Sequence, residues 1–143
     1  MRASLSLALC LALGTPLGSW SQTKVAIQTG SAMVPEAQRA GIPTKVGSWV
    51  LVRHVPGVHG HFLYAADKRT FSLFLTETGN TRPLQPQKGW KTIVLGKGQS
   101  AFEHQDSRNP ERTALVFKHQ TQRRLIMGKL TEAELVSLAQ QLR

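Results

Sequence analysis

The 143-residue chain has little cysteine, few acidic side chains and no long apolar run. Its one cysteine, Cys10, can form neither an intramolecular disulfide nor a cluster of thiolates around a metal. Eight Asp and Glu stand against 18 Lys and Arg, which gives a formal net charge of +10. No apolar run reaches the roughly 20 residues that a membrane-spanning helix needs. These absences argue against a disulfide scaffold and against a helical membrane anchor.

The first residues have the layout of a secretory signal peptide. Arg2 precedes an apolar run over residues 5–13, and a stretch with many small residues follows. Small residues stand at the positions expected for cleavage between Ser21 and Gln22. We therefore expect residues 1–21 to be removed and the mature protein to be periplasmic or secreted. Removal also takes away the single cysteine, which excludes thiol chemistry in the mature chain.

The remainder of the chain predicts an arm followed by one folded domain. Residues 22–47 are small and polar, with glycine and proline breaking any period, so we expect a largely irregular arm. Residues 48–143 predict a single α+β domain with one antiparallel sheet of about five to six strands. Phe71, Leu73 and Leu75 alternate with Ser72, Phe74 and Thr76, and this period of two is typical of such strands.

The clearest local signal lies at the C-terminus. Thr131 and Glu134 have the spacing of a capping box, in which each side chain accepts a hydrogen bond from the other residue's backbone N–H. Leu135, Leu138 and Leu142 then recur on one side of a helix. Because so short a helix is not stable alone in water, we expect its apolar side to pack on one face of the sheet.

Several short motifs follow one another along the chain after residue 39. They are AGIP at 40–43, VPG at 55–57, HFLYAAD at 61–67, TFSLF at 70–74 and IMGKLT at 126–131. In this order they resemble the small C-terminal domain of RseB- and MucB-type envelope stress regulators, relatives of which are attached to anti-sigma factors. The resemblance covers about residues 40–143 and implies a non-catalytic envelope module that binds another protein. It does not imply lipid sensing, which belongs to a larger domain of that family.

Three histidines, His54, His59 and His61, lie close together in the sequence. Three imidazoles can bind zinc or copper and leave one position open for water. Such histidines usually also contact a carboxylate or a carbonyl, and the first acidic residue after them is Asp67. We favour the interpretation of a solvated turn, and so predict no cofactor, with zinc or copper as the alternative.

The basic residues are spread along the chain, and two adjacent pairs stand out at predicted hairpin tips. These pairs are Lys68 with Arg69 and Arg123 with Arg124. If the two tips lie at the same end of the sheet, the four side chains form one patch for an acidic protein, an anionic lipid or a polysaccharide. The alternative is that these charges only keep the protein soluble. Nucleic acid is not expected, because the aromatic residues occupy strand positions and are not free to stack on bases.

The sequence therefore predicts an exported, non-catalytic binding module. We expect a regulatory or accessory protein that contacts an envelope protein such as an anti-sigma factor. No enzyme is predicted, because the chain has no Gly-X-Ser-X-Gly motif, no phosphate-binding loop and no paired acids. A histidine-based metal-binding protein and a module for polyanions remain as alternatives.

Overall fold

The computed structural model describes residues 37–55 and 60–143. The predicted signal peptide, residues 22–36 of the predicted arm and His59 lie outside the described residues. Residues 37–47, which also belong to the predicted arm, contribute Ala37, Ile42 and Val46 to the core of the domain. Within the described residues, no helix has the length and hydrophobicity needed to cross a bilayer.

The main elements of the described residues are one antiparallel sheet of eight strands and a C-terminal helix, and residues 37–39 are also helical. The strands are β1 Lys45–Val46, β2 Trp49–Val55, β3 Gly60–Ala66, β4 Arg69–Glu77, β5 Lys91–Gly96, β6 Gln99–Gln105, β7 Thr113–His119 and β8 Gln122–Gly128, and the helix is α1 Glu132–Gln141. The prediction of five to six strands is therefore wrong. The error has two local causes. Strand β1 has only two residues, and β6 is largely polar and lacks a clear alternation of apolar and polar positions.

The sheet consists of two four-stranded meanders. The strand order is β1-β2-β3-β4-β8-β7-β6-β5, so the meanders meet where β4 pairs with β8. That pairing runs from Phe71 opposite Gly128 to Glu77 opposite Gln122. The long connection over residues 78–90 carries the chain from the centre of the sheet to its far edge, from which the second meander returns.

Helix α1 covers one side of the sheet, which we call the helix face. The predicted capping box is confirmed: the Thr131 side chain accepts from the backbone of Glu134, and the Glu134 side chain accepts from the backbone of Thr131. Leu135 and Leu138 are buried, as are Phe71 and Leu73 on the strand that alternates most clearly. Burial of each such side chain stabilises the fold by about 1.5–3 kcal/mol relative to exposure.

The opposite side of the sheet, which we call the outer face, is partly open. Cross-strand partners share a face in an antiparallel sheet, and the register assigns two rows of side chains to the outer face. They are His61, Phe74, Leu125, Val116 and Phe102 in one row, and Leu63, Ser72, Met127, Ala114 and His104 in the other. Trp90 lies over the outer side of β6, with its ring stacked on His104 at 5.0 Å. Over β3, β4 and β8 the outer-face side chains are only half-buried.

Candidate functional site

The two basic hairpin tips lie at opposite ends of the sheet. The β3–β4 turn comes just before Arg69, beside Gly128, which ends β8. The β7–β8 turn lies beside Glu77, at the far end of β4. The structure therefore does not bring Lys68 and Arg69 together with Arg123 and Arg124.

Arg123 and Arg124 also lie on different faces. Arg123 is opposite Thr76 on the outer face, whereas Arg124 is opposite Leu75 on the helix face and only 2% exposed. Successive side chains of a strand point to opposite sides, which explains the separation. A buried guanidinium is not available to a polyanion in solution.

The Arg124 guanidinium joins three parts of the fold. It donates hydrogen bonds to the carbonyl of Leu142, to the carbonyl of Gly41 at 3.4 Å and to the side-chain oxygen of Gln122 at 2.8 Å. Burial lowers the pKa of Arg124, but the group stays charged because the guanidinium is a very strong base. The last turn of α1 holds no basic residue, so Arg124 supplies the cation that a helix C-terminus favours. We assign Arg124 a structural role.

Arg69 is exposed, and its side chain contacts the N-terminus of α1. It donates to both carboxylate oxygens of Glu134, at 2.8 and 3.0 Å, and to the carbonyl of Lys129 at 2.9 Å. Its guanidinium also lies 5.6 Å from the ring centre of Trp49. Hydrogen bonds from Arg69 and from the backbone of Thr131 lower the pKa of Glu134 to about 2. Arg69 therefore holds the capping box in place as well as contributing positive charge.

His54 and His61 lie on opposite faces of the sheet. His54 is opposite Phe62, and their rings stack at 4.5 Å on the helix face. His61 is opposite Phe74, and their rings stack at 4.3 Å on the outer face. In this arrangement the two imidazoles cannot bind the same metal ion. Within residues 37–55 and 60–143 no three metal-ligating side chains lie together, and His59 falls outside these ranges.

Acidification is expected to destabilise the protein below about pH 6.5. Burial, together with nearby positive charge, lowers the pKa of His61 and of His119 in the folded state. The unfolded chain therefore binds more protons than the folded protein. The stability that exists above the histidine pKa of the unfolded chain is lost as the pH falls through the lower histidine pKa of the folded protein. Urea unfolding at pH 7.0 and at pH 5.0 measures this loss. The variant carrying His61→Asn and His119→Asn should lose less stability between the two pH values than the wild-type protein. An equal loss in both proteins would show that these two histidines do not cause the pH dependence.

A groove on the outer face opens at the end of the sheet that carries the β3–β4 turn. We call it the basic groove, and it has a volume of about 380 Å³. Its lining residues are Lys68, Arg69, Arg112, Lys129, Leu63, Thr70, Phe71, Ser72, Met127 and Gly128. Its cations come from the β3–β4 turn, the start of β7 and the end of β8. No acidic side chain is among the described residues that line it.

The cations of the basic groove differ in their present partners. Lys129 forms an exposed ion pair with Glu111, a kind of contact that contributes little to stability and exchanges readily. Lys68 and Arg112 are exposed and form no ion pair within the part of the chain that the structure describes. The groove can therefore offer up to three positive charges to a ligand.

Comparison with protein-family models, with curated proteins and with solved structures finds no match to this chain. The site is therefore interpreted from its own geometry.

Sequence reasoning singled out Lys68 but missed Arg112 and Lys129 as members of the same site. One signal could have placed these two together: Arg112 comes directly before β7, and Lys129 directly follows β8. The start and the end of a hairpin lie at the same end of a sheet. The position of Lys68 beside them depends on the pairing of β4 with β8, which no local pattern indicates.

Proposed function

We propose that the protein is an exported, non-catalytic binding module that holds an acidic, extended segment of another envelope protein in the basic groove. The observation that carries the proposal is the convergence of Lys68, Arg112 and Lys129 on a groove whose described lining residues include no acid. Cations grouped in this way attract carboxylates at long range and fix their position at short range.

The other side chains of the groove favour a peptide over a simple anion. Leu63 and Met127 give it an apolar floor, and Thr70 and Ser72 add hydroxyl groups. An apolar floor with a cationic rim fits a segment in which glutamate or aspartate alternates with aliphatic residues. The volume of about 380 Å³ lies at the lower end of the range for ligand sites, so a few residues of such a segment fill it.

The resemblance to RseB- and MucB-type domains favours a regulatory or accessory role in the cell envelope. An anti-sigma factor is a partner of the proposed kind if it presents an acidic segment. Anionic lipid and polysaccharide are competing ligands that the following experiment distinguishes.

The proposal is tested with a fluorescent eight-residue peptide that contains four glutamates and two leucines. Fluorescence anisotropy should show saturable binding of this peptide to the mature protein, and no binding of the same peptide with glutamine in place of glutamate. Affinity should fall as salt is raised, because the site is exposed. Heparin and phosphatidylglycerol vesicles serve as competitors. Absence of saturable peptide binding, or binding of heparin or vesicles alone, would contradict the proposal.

A further inference from the structure

The hydroxyl group of Ser72, which lines the basic groove, is hydrogen-bonded to a histidine. Nε2 of His61 lies 3.0 Å from Oγ of Ser72, and Ser72 is one of the groove's lining residues. The His61 ring is held parallel to the ring of Phe74 at 4.3 Å. A titratable group is thus linked to the groove through one hydroxyl.

Among the described residues, cations but no acidic side chain act on His61. Burial lowers the pKa of His61, and positive charge at His54 and Arg53 of β2 acts in the same direction. On the side of β4, its neighbours are Ser72 and Phe74, and Leu125 of β8 follows in the same row. These surroundings therefore favour the neutral imidazole in the ligand-free protein.

We propose that the His61–Ser72 pair makes the basic groove take up one proton together with a carboxylate ligand, so that an acidic segment binds more tightly as the pH falls. This inference rests on the proposed function and concerns the regulation of the same groove. The proton enters at the imidazole of His61, and the bound carboxylate supplies the negative charge that the free site lacks.

Two physical effects couple the proton to the ligand. A protonated His61 adds a cation close to the bound carboxylate. Its Nε2–H must also donate to Oγ of Ser72, because a protonated imidazole has no acceptor nitrogen. In the neutral tautomer whose Nε2 carries no hydrogen, Ser72 donates its hydroxyl hydrogen to Nε2, and protonation of the ring frees that hydrogen to donate into the groove. The coupling is reciprocal: whatever factor protonation adds to ligand affinity, the ligand adds to proton affinity.

The inference is tested by measuring the affinity for the glutamate peptide at pH 7.5 and at pH 5.5, where glutamate remains largely ionised. We expect binding to be about fivefold tighter at pH 5.5. The His61→Gln variant, which keeps a neutral donor, should lose this difference, and Ser72→Ala should weaken binding mainly at pH 5.5. His104→Gln is the control: His104 is also on the outer face but stacks on Trp90, so its loss should leave the pH dependence intact.

The outcomes separate this inference from the proposed function. Equal affinity at the two pH values, or a full pH dependence in His61→Gln, would overturn the inference and leave the binding module intact. Failure of the peptide to bind at either pH would overturn both. Calorimetry in two buffers of different ionisation enthalpy counts the protons taken up, and uptake near zero at pH 6 would also refute the coupling.

Discussion

Replacement of Arg124 by methionine should lower the free energy of unfolding by about 3 kcal/mol, because the carbonyl groups of Leu142 and Gly41 lose a buried donor. Methionine fills much of the space of the arginine stem but cannot donate. The loss should appear in urea unfolding as a lower midpoint with an unchanged slope. It should also loosen the end of α1, since Leu142 caps that helix.

Arg123 provides the matched control for Arg124. It is the same residue type in the same strand, but it faces the outer side of the sheet. Arg123→Met should change the free energy of unfolding by less than about 1 kcal/mol. Equal losses in the two variants, or no loss in Arg124→Met, would contradict the structural role of Arg124.

Reversal of two charges in the basic groove should weaken binding of the glutamate peptide on the order of 30-fold. The variant carries Lys68→Glu and Arg112→Glu, which replace two attractions with two repulsions at exposed positions. Fluorescence anisotropy of the peptide used for the wild-type protein measures the effect. Circular dichroism should be unchanged, since neither side chain forms an ion pair within the described residues.

The control for this variant carries the same change of net charge at the other end of the sheet. It combines Lys97→Glu in the β5–β6 turn with Arg123→Glu in β8, and neither residue lines the basic groove. Peptide affinity should fall by less than about threefold, as expected for screened charges beyond a Debye length. A similar loss in both double variants would show that the total charge of the protein, and not the groove, binds the peptide.

Local patterns in the sequence predict the elements of this fold better than their arrangement. The capping box at Thr131 and Glu134 places the start of α1 correctly, because both of its hydrogen bonds join residues three apart. The alternation along β4 identifies its buried side, because the period of a strand is two. The two-residue β1 could not be predicted, since its pairing with β2 is too short to leave a pattern.

For the candidate site, too, some features follow from the sequence and others only from the tertiary structure. The sequence by itself determined the excess of positive charge and the two adjacent basic pairs, but it placed Arg123 and Arg124 together at a hairpin tip. Only the tertiary structure decided that Arg124 is the buried member, that the two basic tips lie at opposite ends, and that Lys68 meets Arg112 and Lys129. These facts depend on the pairing of β4 with β8. That pairing joins segments far apart in the chain, and it is selected by burial of the whole core, which no local stretch of sequence encodes.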